Sequence, residues 1–478
     1  MMFTKIKTFI SRQDSFLRNV AVLSSASVVA QIINVITMPV FSRLYSPSDF
    51  GTLSLFTSAV GLLATVSGFR YYLVIPLART DRYLYSLIWT SVIFQSICVV
   101  LIAIMVEIAS KFMVGTAYAV IIPYRFLIPL GVLCVGIYSL LTQWAIRAKE
   151  FTLIAKTKLT QTFARAAVIL LCGLTGIKPL GLLLGNILGQ SFGSTSLLCK
   201  LISGSKKNQF SRTHITRASI YYRKMFYYDT PGALLNMSGA YLLPIIMAYF
   251  FNPSVVGSFS MAQNVLVLPS VLIGTSIGQV FIQKARDALY NGSVAQISLK
   301  TVSALIRIGC FPVLAIAFIA PELFSAVLGP EWRQAGVFAL ILGPWIALNF
   351  VYSPLSSLYT IIMLQKMGFV FVAFYTATRL LSAYIGKGNP LLAVTFISIT
   401  GSLMMVVGIY LLLWKSGVKK IKTIKTLLVI FVEILIEICP FIIILLLFGF
   451  QTCLLYKLIA VGWGGLVYIS ILYKKLLK

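Results

Sequence analysis

The sequence predicts an all-α polytopic membrane protein of about fourteen transmembrane helices, forming two pseudo-symmetric six-helix lobes and two C-terminal helices. Three observations carry this. Of 478 residues, 59% are hydrophobic and only 11% charged, where a soluble domain carries about 25% charged residues. Apolar runs of spanning length, about 17–25 residues, recur along the whole chain without a long polar linker. Finally, Lys and Arg gather on alternate connections between those runs, as they do in membrane proteins. A water-soluble enzyme so poor in charge could not cover its own surface.

The runs fall at roughly 20–41, 51–77, 86–106, 116–141, 159–177, 179–202, 230–251, 255–282, 301–320, 336–363, 368–385, 390–414, 427–449 and 458–473. None shows the two-residue alternation of a membrane barrel strand. The first run follows the basic stretch Met1–Arg18, is about 22 residues long and lacks a small-residue cleavage site, so it reads as a span rather than a signal peptide. The chain carries 40 Lys+Arg against 11 Asp+Glu, a formal net charge of +29. With the N-terminus in the cytoplasm, 29 basic residues fall on inner segments and six (Arg43, Lys111, Lys178, Arg333, Lys387, Lys457) on outer loops, leaving five within spans. A missed span would reverse the later loops, so both termini are expected inside. Anionic headgroups then account for most of the charge, and nucleic acid is not needed as a partner.

The seven cysteines have neither redox nor metal-ligand spacing, and His214 stands in a basic loop with no Cys, Asp or Glu near it. No phosphate-binding glycine loop, catalytic triad or zinc motif is present, so neither an enzyme nor a cofactor or metal is expected. The expected division is an N-terminal lobe at 1–202, a basic cytoplasmic linker at 203–229, a C-terminal lobe at 230–414, and a basic loop with two helices at 415–478.

The lobes carry a repeat. Tyr45-Ser-Pro-Ser-Asp-Phe-Gly51-Thr-Leu-Ser54 and Phe251-Asn-Pro-Ser-Val-Val-Gly257-Ser-Phe-Ser260 match at Pro47/Pro253, Ser48/Ser254, Gly51/Gly257 and Ser54/Ser260. Each copy lies between the first and second spans of its half and reads as a Pro-Ser helix start. Six spans separate the copies, which implies parallel halves.

These residues carry a family resemblance. Arg43-Leu-Tyr45-Ser-Pro47-Ser-Asp-Phe-Gly51 resembles the R-x-Y-[ST]-P-x-x-[FY]-G segment of bacterial polysaccharide flippases of the multidrug/oligosaccharidyl-lipid/polysaccharide (MOP) exporter superfamily. Gly68-Phe-Arg70-Tyr-Tyr-Leu-Val-Ile-Pro-Leu-Ala78 is similar to their L-R-Y-x-x-A-I-x-L stretch, with Val74 in place of the usual Ala. Tyr228-Asp-Thr-Pro231-Gly-Ala-Leu-Leu-Asn236, and Gly257 to Pro269, resemble the second-half counterparts. The resemblance covers about residues 15–290. It implies a MATE-like fold and transfer of an undecaprenyl-pyrophosphate-linked oligosaccharide to the outer leaflet of the inner membrane by alternating access. It further implies O-antigen or lipopolysaccharide assembly, beside a polysaccharide polymerase and chain-length regulator. A lipid II-type flippase and a multidrug exporter are the alternatives within the superfamily.

Five arginines, Arg70, Arg125, Arg165, Arg307 and Arg379, fall within spans. A central Arg costs about 2.5–3.5 kcal/mol on insertion scales and faces protein or water. The first twelve spans hold no deep carboxylate, so these arginines are expected to give a positive cavity that compensates pyrophosphate, which the guanidinium fork matches bidentately. Snorkelling to the interface is the structural alternative for all but Arg379, which is near the centre of its span. Asp229 is expected to cap span seven or to take part in coupling. Glu433 and Glu437 share one face of span thirteen and either pair with Lys422 or Lys425 or form a coupling site.

The topology is directly testable. Alkaline phosphatase inserted after Lys111 or Lys387 is expected to be active, and after Lys207 or Lys478 inactive; activity at Lys207 would overturn the assignment.

Overall fold

A computed structural model describes residues 2–78, 80–113, 117–204, 212–223, 225–448 and 454–476. The elements begin with α1 (Met2–Leu44), α2 (Pro47–Val66), a 3-10 segment (Ser67–Leu77), α3 (Asp81–Met113), a second 3-10 segment (Ala117–Tyr124), α4 (Leu127–Arg147), α5 (Phe151–Leu174) and α6 (Leu180–Gly204). Then come α7 (Arg212–Tyr221), a π turn (Met225–Asp229), α8 (Thr230–Phe250), α9 (Pro253–Pro269), a second π turn (Ser270–Gly274) and α10 (Thr275–Tyr290). The chain continues through α11 (Val294–Val327), α12 (Arg333–Leu355), α13 (Leu358–Ile361), α14 (Gln365–Ile385), α15 (Pro390–Lys415), α16 (Lys420–Phe448) and α17 (Leu454–Leu476). No strand occurs among the described residues.

Each expected span coincides with a helix or a pair of helical segments, and ten of these stretches are long and apolar enough to cross a membrane. Of the other four, α16 is as apolar in sequence over Leu427–Phe448, whereas α5, α6 and α17 are less so. Lys156, Lys158 and Arg165 raise the charge of α5, and Asn186, Gln190 and several serines dilute α6. On α17 the apolar stretch is only Leu455–Ser470. The chain is a multi-pass membrane protein: on α3, the apolar side chains of Ile93, Ile97, Leu101 and Ile104 point outward, an arrangement that suits lipid rather than water.

The chain forms two compact units, Met1–Ile245 and Ile246–Lys478, with the division inside α8. In the first unit, α2 starts on a capping box. The Ser46 Oγ accepts from the Asp49 N–H at 3.3 Å, Asp49 Oδ2 accepts from the Ser46 N–H at 2.9 Å, and Pro47 takes the first helical position. In the second unit, Asn252 Oδ1 accepts from the Val255 N–H at 3.1 Å ahead of Pro253. The repeat therefore starts a helix in both units, although the caps are Ser46 and Asn252 rather than the serines after the prolines.

Helices α5 and α6 pack through a glycine ridge. A Cβ on Gly181, Gly185, Gly189 or Gly193 would come closer than 3.0 Å to Cys172, Ile169, Arg165 or Gln161 respectively. Lipid tails are as apolar as Leu, so helices in a bilayer associate by close backbone approach, which a small residue every fourth position allows. Gly173 and Gly181 also make room for Tyr45, whose Oη donates to the Ile169 carbonyl at 2.8 Å. Burial, followed by the neighbouring Cys172 and Asp49, pushes the Tyr45 hydroxyl up to about 12. Tyr45 is thus a packing residue of the α1–α2 corner, and Gly51 is buried on α2.

Three expectations change. Span two is not one helix: it breaks at Ser67 into the 3-10 segment. Span four begins as helix only at Leu127. The stretch expected as a linker contains α7, whose Ala218 is fully buried in a cluster with Leu84, Leu87, Trp144 and Leu197. Tyr71 Oη also donates to the Ser219 carbonyl at 3.0 Å, tying α7 to the 3-10 segment. Residues 205–211 and 224 of that stretch, with Arg79 and Cys453, lie outside the described residues, as do the side chains of His214, Lys422 and Glu437.

The ridge has a measurable cost of disruption. Gly185→Leu is expected to destabilise the first unit by about 1–3 kcal/mol through overpacking, read as a lower melting temperature in detergent; an unchanged midpoint would show that α5 and α6 do not need this approach.

Candidate functional site

In the first unit the backbone itself is unusual at Arg70. Gly68, Phe69 and Arg70 take positive φ of 61°, 46° and 57° in succession. Left-handed backbone costs a non-glycine residue roughly 1–2 kcal/mol, so surrounding contacts must hold the turn. Ser67 Oγ donates to Gln95 Oε1 at 2.8 Å, and Gln95 Nε2 donates to the Val132 carbonyl at 3.2 Å. A Cβ at Gly68 would stand 3.0 Å from Gln95 Oε1. The Phe69 ring sits edge-on to Phe94 and Phe226, at centroid distances of 5.6 and 4.6 Å. The turn aims Arg70 at Asp229: Nε and Oδ2 are 2.6 Å apart, with side-chain exposures of 20% and 42%. Two residues expected in separate roles therefore form one pair, and Asp229 ends the π turn before α8 rather than standing alone.

Arg125 lies between the second 3-10 segment and α4, not inside a helix. Its Nε meets Glu107 Oε2 at 2.8 Å and its guanidinium lies 4.5 Å from the Phe126 ring centre. Arg165 lies on α5 against Gly189 and has no carboxylate partner among the described residues. Arg147 also joins α4 to the start of α3, through the Ala78 carbonyl at 2.9 Å and Asp81 at 3.3 Å.

In the second unit, Arg307 of α11 faces Glu433 of α16: Nε to Oε2 is 3.0 Å and Nη2 to Oε1 is 3.5 Å. Their exposures are only 19% and 11%. The expected partners of Glu433 were Lys422 and Lys425, which are nearby in sequence, but the structure directs the carboxylate across to another helix. Arg379 is 5% exposed and stacks 4.5 Å from the Trp345 ring centre and 5.0 Å from that of Tyr375. Trp345 Nε1 donates to Tyr375 Oη at 3.0 Å, fixing both rings. Such cation–π contacts are worth about 2 kcal/mol or more when desolvated.

Lys457 was expected in an outer loop, but it lies on α17 with 0% exposure. Its Nζ is 2.8 Å from Glu322 Oε2 on α11. Between the Arg307 and Lys457 pairs, Phe318 stacks on Phe441 at 4.6 Å and Phe311 on Tyr468 at 4.7 Å. Tyr468 Oη donates to the Ile308 carbonyl at 3.1 Å. Sequence reasoning missed Glu107, Glu322 and Lys457; being solitary charges inside or beside apolar runs was their only signal.

The first twelve spans hold carboxylates only towards their ends, but those carboxylates reach more of the arginines than their positions in sequence suggest. Three of the five arginines hold ion pairs, and the carboxylates come from helix ends and from α16, where apolar runs conceal them. The second unit also contains a cleft of about 470 Å³ along the π turn and α10, facing the end of α12. Among the described residues no group of three His, Cys, Asp or Glu is placed to hold a metal.

The described residues thus form an all-helical, multi-pass membrane fold with arginines buried between its helices. The profile of the polysaccharide biosynthesis protein family matches residues 16–282, more than half of the chain, and the chain belongs to that family. No curated protein sequence matches it. Among solved structures, a lipid II flippase MurJ in an inward closed conformation superposes with TM-score 0.74 at 16% identity, over 95% of this chain and 99% of that one. An inward-facing multidrug resistance MATE family transporter of the MOP superfamily gives TM-score 0.64 at 14% identity, over 82% and 98%. A MOP superfamily transporter from Pyrococcus furiosus gives TM-score 0.55 at 13% identity, over 84% and 95%. At these identities the likeness establishes the fold, which is the MurJ/MATE fold.

The Arg307–Glu433 pair can be weighed by a double-mutant cycle. Glu433→Ala alone is expected to cost about 3–5 kcal/mol, as removing one partner of a buried pair does. Arg307→Met with Glu433→Leu is expected to cost less than that single change; additive losses in thermal unfolding would show that the pair is not coupled.

Proposed function

We propose that the protein is a flippase that moves undecaprenyl-pyrophosphate-linked oligosaccharide repeat units across the bacterial inner membrane by alternating access, for O-antigen or another surface polysaccharide. The observation that carries this reading is the family match over residues 16–282, on a fold shared across 95% of the chain with a lipid II flippase. Both termini are cytoplasmic in this reading, supported by the 29 basic residues assigned to inner segments. Anionic lipids meet those residues, and a polysaccharide polymerase and chain-length regulator act on the product.

A multidrug exporter of cations would need carboxylates available to its cargo. Here Glu107, Asp229, Glu322 and Glu433 each face a basic side chain, which supports an anionic cargo. In the proposal Arg165 and Arg379 compensate the pyrophosphate during transfer. Arg165 has no carboxylate partner among the described residues, and Arg379 is the most deeply buried of the five intramembrane arginines. Arg70 and Arg307 primarily join helices.

Proteoliposomes containing the full chain test the reading. A fluorescent undecaprenyl-pyrophosphate oligosaccharide placed in one leaflet is expected to reach the other faster than in protein-free vesicles. Arg379→Ala, with Arg165→Ala beside it, is expected to slow transfer at least tenfold at wild-type melting temperature. Absence of transfer by the unaltered chain would overturn the proposal, and transfer of lipid II alone would reassign the substrate.

A further inference from the structure

The cleft in the second unit differs in chemistry from the rest of the chain. It forms where α9 ends at Pro269 and the π turn Ser270–Gly274 leads into α10, facing the end of α12 at Pro354. Its volume of about 470 Å³ lies within the 300–1,000 Å³ range common for small-molecule sites. None of its eleven lining residues is ionisable, in a chain with 40 basic residues. Phosphate recognition requires cations or converging N–H groups, and recognition of a cationic drug requires carboxylates; this lining has neither kind of charge.

The lining does offer neutral hydrogen-bonding groups without partners. Ser270 Oγ is buried and has no hydrogen-bond partner among the described residues. Ser353, Thr360 and the Gln279 amide also line the cleft, and their side chains have no hydrogen-bond partner among the described residues. The Phe350 ring and Ile282 supply an apolar wall, and Gly278 presents bare backbone. Hydroxyls both donate and accept, and an amide provides two donors and an acceptor. The Ser353, Thr360 and Gln279 side chains are exposed to the cleft, so a ligand that brings its own hydroxyls can pair with them. A pyranose ring has that character: hydroxyls around its rim and C–H faces that pack on an aromatic wall.

We propose that this cleft binds one uncharged sugar ring of the cargo, separately from the pyrophosphate end. The inference rests on the flippase reading for the identity of the cargo. It assigns saccharide selection to neutral side chains of the π turn, α10 and the end of α12, and charge compensation to arginines elsewhere.

Two substitutions reach the cleft without disturbing its frame. A Cβ on Gly278 would stand 3.6 Å from Pro354, an ordinary contact, so Gly278→Leu fills the cleft. Ser353 is exposed, so Ser353→Ala removes a hydroxyl without opening a packed core and serves if Gly278→Leu lowers the melting temperature. The full chain in lipid nanodiscs is titrated with a short-chain polyprenyl pyrophosphate bearing one neutral hexose, and with the same pyrophosphate lacking sugar. The unaltered chain is expected to bind the hexose-bearing probe at least fivefold more tightly. Both variants are expected to reduce that advantage, Gly278→Leu to below twofold, with affinity for the sugar-free probe unchanged. Retention of the full advantage in both variants, equal loss for the two probes, or no preference in the unaltered chain overturns the sugar site and leaves the flippase reading intact. Failure of the unaltered chain to bind either probe overturns both.

Discussion

A charge removed from water between helices needs a counter-charge, and in this chain the scarce partner is the carboxylate. Eleven acidic residues serve 40 basic ones, so the few carboxylates decide which cations can be held between helices. The described residues contain six ion pairs, and most join segments distant in sequence. Arg70 and Asp229 are 159 positions apart, Arg307 and Glu433 126, and Lys457 and Glu322 135. At low dielectric, a partnerless charge costs far more than the pair returns, so each pair constrains which helices are neighbours. Arg379, which is in none of these pairs, is held instead against the rings of Trp345 and Tyr375.

Between those charged points the helices make contact in two ways. One is absence of side chain: the α6 glycines let α5 approach, and Gly336 and Gly386 bring backbone close to Ala320 and Ala393 in the second unit. The other is ring faces, with Tyr71 on Phe94 in the first unit and Phe318 on Phe441 and Phe311 on Tyr468 along α11 in the second. Both replace the water-driven association of soluble helices, which has no counterpart against lipid. The strained backbone of the turn at Gly68–Arg70 is held from several sides, where the hydrogen bonds of Gln95 and the contacts of Phe69 fix what local propensity opposes.

The helical segments and the repeat could be read from the sequence because both depend on local properties. A run of apolar residues specifies a span without reference to its neighbours, and Pro47 and Pro253 start helices whatever packs on them. Gly68 signals a break, but the two left-handed residues after it are imposed by Gln95 on another helix. The ion pairs were illegible for the same reason. Glu433 has lysines close by in sequence, and only the packing of α16 on α11 directs it to Arg307. Arg125 looks intramembrane by position because the adjoining 3-10 segment is as apolar as a span. The cleft was equally hidden, since its serines, threonine and glutamine are ordinary residues until two irregular helix ends bring them together.

The fastening of α16 and α17 to α11 has a bearing on how such chains can vary in length. A chain ending after α15 would leave Arg307 and Glu322 on α11 without these partners and bare the Phe311–Phe318 stripe to lipid. The stripe tolerates that exposure, since lipid and protein are alike to a phenyl ring, but the two charges do not. Loss or gain of the last two helices is thereby tied to two positions on α11, far upstream of the segment concerned. Relatives without the pair are expected to carry neutral residues at both positions, so the identity of residues 307 and 322 becomes a mark of whether a chain was built to hold a C-terminal hairpin.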